Sequence, residues 1–101
     1  MIPWIELDRA PVPGGDEELR LKRRGDEFSI MLGPVGLMSS RMSGSEEALA
    51  GFAAAALAKL ARPRVLIGGL GMGFTLRAAI AAFGPGAELV VAELVPGVVA
   101  W

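Results

Sequence analysis

The amino-acid sequence predicts an α/β fold in which an N-terminal antiparallel β-meander precedes the β-α-β start of a parallel sheet. Apolar and polar residues alternate through much of the first forty positions, as they do in half-buried strands. An Ala-rich helical segment follows, and after it two short apolar runs enclose a glycine-rich turn and a second helical segment. With 101 residues, the chain is one domain at most.

Four segments predict the meander, and turn-forming residues separate them. Gly25 with Asp26 predicts one turn, and a second is expected over residues 33–36, which contain Gly-Pro-Val-Gly. The strands are predicted at residues 4–8, 18–23, 28–32 and 37–40.

A helix is predicted over residues 48–61, because Ala and Leu are among the best helix formers. Ser43 and Glu46 have the spacing of a capping box at the helix start. Pro63 ends the helix, because a proline disfavours helical backbone in the residue before it. Apolar side chains at helical spacing predict the stripe that faces the core, namely Leu49, Phe52, Ala53, Ala56 and Leu60.

The rest of the chain is predicted to be strand, helix, strand. Residues 64–68 and 88–93 are short apolar runs, typical of parallel strands buried on both faces. Residues 74–83 form the helix between them, and Pro96 is well placed in the first turn of a further helix. The predicted parts are a meander at 1–42, a connecting helix at 43–62, and the opening of a nucleotide-binding domain at 63–101, which we expect to be truncated.

The composition excludes several kinds of catalysis within this chain. There is no Cys, His or Tyr, so disulfides, thiol nucleophiles, a histidine base and a Ser-His-Asp triad are all excluded. The carboxylates do not have the spacing of a ligand cluster, and we expect no metal site. The sequence therefore leaves the catalytic residues unknown.

Charge and hydropathy restrict the partners. A net charge of −1 gives no electrostatic reason to expect nucleic acid. Acidic residues flank the cluster of Arg20, Lys22, Arg23 and Arg24, which favours a solvated face of mixed charge over a phosphate-binding patch. No apolar run approaches the roughly 20 residues of a membrane span, and the first residues do not resemble a signal peptide. We expect a cytoplasmic protein with no membrane partner.

The turn at residues 69–73 is the motif that carries chemistry. It joins a strand to a helix, where free N–H groups and the positive end of the helix dipole meet a ligand, and glycines let the backbone approach that ligand. A dinucleotide loop requires G-x-G-x-x-G or a final Ala, but Phe74 or Leu76 fills the last position here. The observed spacing is G-x-G-x-G, and the predicted cofactor-binding residues are Gly69, Leu70, Gly71, Met72 and Gly73.

Glu93 is the second candidate, because it closes the second apolar strand twenty residues after Gly73. A carboxylate at this point accepts hydrogen bonds from the two ribose hydroxyls of a bound nucleoside. The glycine turn and Glu93 together predict a nucleoside site more specifically than either feature alone.

These features resemble a known family. The helix, Arg62-Pro63, the segment VLIGGLGMG and the segment VVAELVPGVV are similar to the spermidine synthase-like branch of the class I S-adenosylmethionine-dependent methyltransferase fold, which is Rossmann-like. In that family a small β-meander also precedes the nucleotide-binding domain. The resemblance is strongest from about residue 62 to 100. It implies that residues 69–73 and Glu93 bind S-adenosylmethionine or its decarboxylated form.

By the same resemblance, the parent protein is a transferase that moves a methyl or aminopropyl group to a small-molecule acceptor. Polyamine synthases usually carry an Asp in the glycine loop, where this chain has Leu70 and Met72, and a Tyr-His-Glu segment on the preceding helix, where it has residues 46–51. Their catalytic Asp lies on a later strand, beyond Trp101. The acceptor and the transferred group stay open, and we expect the chain alone to be inactive.

Two alternatives come from other classes of function. Two parallel strands leave sheet edges and one face uncovered, and an apolar fraction of 52% favours contact with a partner. The chain is then a non-catalytic fragment or assembly module, completed by a homo-oligomer such as a dimer or by a missing C-terminal half. The further alternative is an NAD-binding module, which the glycine spacing disfavours.

Overall fold

A computed structural model describes residues 2–101 and shows a mixed α/β protein, as predicted. The chain divides into two compact units, which we call the meander unit (Met1–Met42 with Leu94–Trp101) and the glycine-loop unit (Ser43–Glu93). In chain order the elements are β1 (Ile5–Pro11), β2 (Glu18–Arg24), β3 (Glu27–Leu32), β4 (Val35–Ser39), α1 (Gly44–Ala56), β5 (Arg64–Gly68), α2 (Phe74–Phe83), β6 (Glu88–Ala92) and α3 (Pro96–Ala100).

The meander unit is a four-stranded antiparallel sheet in the order β1-β2-β3-β4, which confirms the predicted meander. Two-residue turns join β2 to β3 and β3 to β4, and each contains a glycine with positive φ, 62° at Gly25 and 56° at Gly33. The turn predicted over residues 33–36 is therefore shorter than expected. Strand β4 begins at Val35 because Gly33 and Pro34 suffice to reverse the chain.

One face of the meander is mainly apolar, although Asp8 and Arg23 also lie on it, and α3 packs there on β1. The register places Leu21 opposite Ile30 and Leu19 opposite Leu32, so that their side chains share a face. Helix α3 packs against β1 within the same unit. The buried side chains of this unit are Ala10, Leu19, Ile30, Val95 and Val98.

The other face of the meander carries paired charges, as the sequence predicted for this region. Glu6 accepts a hydrogen bond from Arg9 at 2.9 Å and lies 3.9 Å from Arg20. Glu27 lies 3.3 Å from Arg24. Largely exposed pairs such as Arg9 with Glu6 contribute about 0–1 kcal/mol each, so they favour solvation of the face more than they stabilise the fold.

The glycine-loop unit contains β5 and β6 paired in parallel, with Ile67 opposite Val91 and Gly68 opposite Ala92. The predicted β-α-β order is confirmed. Helices α1 and α2 pack together, and the buried centre consists of Ala50, Ile67 and Ala79.

The prediction that these strands are buried on both faces is wrong. Side chains alternate along a strand, and only the odd-numbered positions of β5 pack on the core that includes Ala50 and Ala79. On the opposite face Leu66 is 70% exposed and its partner in the register, Val90, is 46% exposed.

Helix α1 differs from its prediction in bounds and in buried face. It begins directly after Ser43 and ends at Ala56, because i→i−3 bonds such as Leu60 N–H to the Leu57 carbonyl (3.0 Å) tighten the chain beyond it. Ala50 is its buried residue, whereas Phe52 of the predicted stripe is 76% exposed and Leu49 and Leu60 are also exposed.

The remaining helices have the predicted positions. Helix α2 spans Phe74–Phe83, and α3 begins with Pro96 in its first turn, where the missing N–H of proline costs no hydrogen bond. None of the helices within residues 2–101 has the length and apolarity that crossing a bilayer requires.

Candidate functional site

The glycine loop, residues 69–73, runs from the end of β5 to the start of α2. Its three glycines all have φ in the left-handed region, 89° at Gly69, 55° at Gly71 and 80° at Gly73. A residue with a side chain would pay roughly 1–2 kcal/mol at each such position. The structure thus gives the glycines a conformational requirement, in addition to the close approach of a ligand that the sequence suggested.

Glu93 reaches the glycine loop because β5 and β6 are parallel. Gly68 and Ala92 are opposite each other in the register, so Gly69 and Glu93 emerge at the same edge of the sheet. One carboxylate oxygen, Oε1 of Glu93, accepts a hydrogen bond from the Leu70 N–H at 2.7 Å and a long one from the Gly71 N–H at 3.5 Å. The structure therefore brings together the two features that the sequence singled out.

Two further hydrogen bonds fix the loop. The Gly69 N–H donates to the Ala92 carbonyl at 2.7 Å, which extends the sheet pairing by one step. The Gly73 N–H donates to the Leu70 carbonyl at 2.8 Å and closes a turn. Met72 is half-buried within that turn. The loop is consequently held by its own backbone and by Glu93.

Helix α2 begins at the end of this turn with Gly73 as its N-cap residue. As a glycine, Gly73 has no side chain that could cap the helix, and the first intrahelical bond runs from the Arg77 N–H to the Gly73 carbonyl at 2.8 Å. The helix dipole places partial positive charge at this end. The Glu93 carboxylate, half-buried beside the loop, is an electrostatically compatible neighbour.

A cavity of about 200 Å³ lies in the same unit, between α1, β5 and α2. Its lining includes Ala53, Ile67 and Phe83, and Thr75 contributes its one polar side chain. The lining reaches Gly68 but includes neither the glycine loop nor Glu93. The cavity is an apolar space beside β5 and is separate from the loop–carboxylate contact.

The site residues were predicted from the sequence, but the hydrogen bond between the glycine loop and Glu93 was not. The signal was available in principle, because parallel pairing of residues 64–68 with 88–92 brings Gly69 and Glu93 to one edge. Nothing in the sequence indicated the second unpredicted contact, where the Trp101 indole N–H donates to an Asp8 carboxylate oxygen at 2.7 Å. In the part of the chain that the structure describes, no three acidic side chains come together as possible metal ligands.

No protein-family model, curated protein or solved structure matches this chain.

Proposed function

We propose that this chain is the adenosyl-binding portion of a spermidine synthase-like transferase, with S-adenosylmethionine or its decarboxylated form as cofactor. One observation carries the proposal, namely the hydrogen bond of 2.7 Å from the glycine loop to the Glu93 carboxylate at the shared edge of two parallel strands. Ligands of open α/β sheets bind outside the carboxyl ends of the strands. The loop and the carboxylate lie at that end.

The residues have separate roles in this proposal. Glu93 accepts hydrogen bonds from the ribose hydroxyls, and it is already oriented by the Leu70 N–H. The glycines of residues 69–73 let the rest of the cofactor approach the backbone. Methyl or aminopropyl transfer to a small-molecule acceptor requires orientation of the reactants and removal of a proton. In this proposal Glu93 and residues 69–73 bind the cofactor, and no residue is assigned to proton removal.

The test is a calorimetric titration of the full chain with S-adenosylmethionine, its decarboxylated form and NAD. We expect saturable binding of the first or second ligand and its loss in Gly71→Ala and Glu93→Ala. Gly33→Ala is the matched control, because Gly33 has nearly the same φ of 56° but lies in the meander. Binding of NAD alone, or of no ligand, would overturn the proposal.

The second candidate function is assembly with another copy of the chain. The exposed pair Leu66 and Val90 on the uncovered sheet face favours it, because monomeric proteins rarely leave such faces open. Sedimentation equilibrium of Leu66→Lys, with Leu37→Lys in the meander as control, tests this alternative. Assembly is favoured over the adenosyl site if the chain is a dimer that Leu66→Lys dissociates and Leu37→Lys does not, and if the chain binds no cofactor.

A further inference from the structure

We propose that Glu93 also determines which nucleoside derivatives the glycine loop accepts, by excluding those that carry phosphate. Its carboxylate accepts hydrogen bonds from the loop N–H groups that a phosphate would use, so we expect the group bound at the loop to be neutral or cationic. A sulfonium satisfies this condition and a nucleoside diphosphate does not. The identity of the ligand rests on the proposed function, whereas the exclusion of phosphate is a property of the loop itself.

The hydrogen bonds of the loop are the first support. Glycine-rich loops bind phosphates by directing several backbone N–H groups at the anion. Here the Gly69 N–H donates to the Ala92 carbonyl, and the Gly73 N–H donates to the Leu70 carbonyl. The N–H groups of Leu70 and Gly71 donate to Glu93. These four donors are already engaged within the protein.

Charge is the second support. Residues 65–76 contain no Lys or Arg, and the guanidinium of Arg77, which follows them in α2, lies 5.2 Å from the centre of the Phe74 ring. Glu93, the charged side chain that accepts hydrogen bonds from the loop, is an acid. A phosphate at this position would meet a negative charge at close range, where repulsion is little screened. A sulfonium cation would be attracted to the same charge.

The test measures binding of inorganic pyrophosphate to the full chain by ¹⁵N NMR, following the amide signals of Leu70 and Gly71. In the wild type we expect these signals to stay unchanged. Glu93→Ala removes both the charge and the acceptor and should bind pyrophosphate about tenfold more tightly, because a close like charge no longer repels the anion. Glu93→Gln keeps an acceptor oxygen and should be intermediate.

Glu88→Gln is the matched control, because Glu88 is an acid at the other end of β6, where it pairs with Arg64 at 2.9 Å. It should leave pyrophosphate binding as weak as in the wild type. Equal binding to the wild type and Glu93→Ala, or no gain in either Glu93 variant, would overturn the inference. A parallel titration with S-adenosylmethionine separates the two proposals. If it moves no loop signal, the proposed function fails, while the pyrophosphate series still decides whether Glu93 excludes phosphate.

Discussion

The two units of this chain bury their sheets in different ways. In the meander unit α3 packs on β1 and side chains of the antiparallel sheet are buried beneath it, while the other face carries charged pairs such as Arg9 with Glu6. In the glycine-loop unit, α1 and α2 provide the core for one face of two parallel strands, and Leu66 and Val90 are exposed on the other. Antiparallel sheets commonly face water on one side, whereas parallel sheets are normally covered on both. The candidate site therefore belongs to the unit with the less complete core.

The composition of the two cores sharpens this difference. The meander unit buries Leu19, Ile30 and two valines, whereas Ile67 is the one large side chain in the buried centre of the glycine-loop unit. The other two members of that centre are alanines, which bury little area. The stability of the glycine-loop unit should consequently depend on few positions.

The largest expected effect is that of Ile67→Ala. Ile67 is 7% exposed and is the largest of the three buried side chains at the centre of its core, so we expect the free energy of unfolding of the glycine-loop unit to fall by roughly 2–5 kcal/mol. Amide hydrogen exchange of β5 and β6, measured at increasing urea concentrations, gives the free energy of unfolding of this unit. Leu66→Ala, one residue away on the exposed face, should change stability by no more than about 0.5 kcal/mol. Equal losses in the two variants would mean that both faces are covered in solution.

The second effect concerns the contact between α3 and β1 in the meander unit. Gly97 of α3 lies so close to β1 that a Cβ on it would overlap the Cβ of Ala10. We expect Gly97→Ala to lower the free energy of unfolding by roughly 1–3 kcal/mol, because the helix must move away from the sheet. Thermal denaturation checks this.

Gly51→Ala is the control for the glycine substitution in α3. Gly51 lies in the interior of α1, and a Cβ there would have no neighbour within 4 Å. Because alanine favours helix over glycine, this variant should raise stability by up to about 1 kcal/mol. If Gly97→Ala were as stable as the wild type, α3 would not be packed on β1 in solution.

Local signals predicted the elements well. The turn residues Gly25 and Gly33 and the alternation of the strands indicated the meander, and the bounds of β5 and α2 follow from the apolar run and the glycines that end it. The relation between Glu93 and the loop also follows from sequence once the two strands are taken as parallel. The sequence predicts glycines at residues 69–73 because a ligand must approach the backbone closely, and the positive φ values provide a further reason.

Burial was predicted less well, because it depends on which elements meet in space. The stripe of Leu49, Phe52 and Leu60 has ideal helical spacing, yet α1 buries Ala50, since close packing on α2 favours a small side chain. An apolar run such as residues 64–68 fits a strand covered on one face or on both. The contact of Trp101 with Asp8 joins positions at opposite ends of the sequence, and no local pattern indicates it.

A small effect is expected at the start of α1. Ser43 is the N-cap residue, but its hydroxyl donates to the Glu47 carboxylate at 3.1 Å and caps no backbone N–H, so the predicted capping box with Glu46 is not formed. Ser43→Ala should therefore cost less than the roughly 1 kcal/mol of a true N-cap. Thermal denaturation measures the change. A loss of that full size would show that the side chain caps the helix in solution.

The smallest effect is a dependence on pH confined to the meander unit. The indole N–H of Trp101 and the backbone N–H of Arg9 donate to the Asp8 carboxylate, and together they lower the pKa of Asp8 below its ordinary value of 3.8. A lowered folded-state pKa means that the stabilisation is present above 3.8 and is lost as the pH falls through the lower folded value. The indole N–H signal of Trp101 should therefore titrate below pH 3.8, while that of Trp4 should not follow it.

Asp8→Asn keeps an oxygen acceptor but cannot ionise, so it should remove the titration and leave the signal near its neutral-pH position. If the Trp101 signal titrated equally in Asp8→Asn, another group would have to act on the indole, and the contact between the C-terminal residue and β1 would not be the one described.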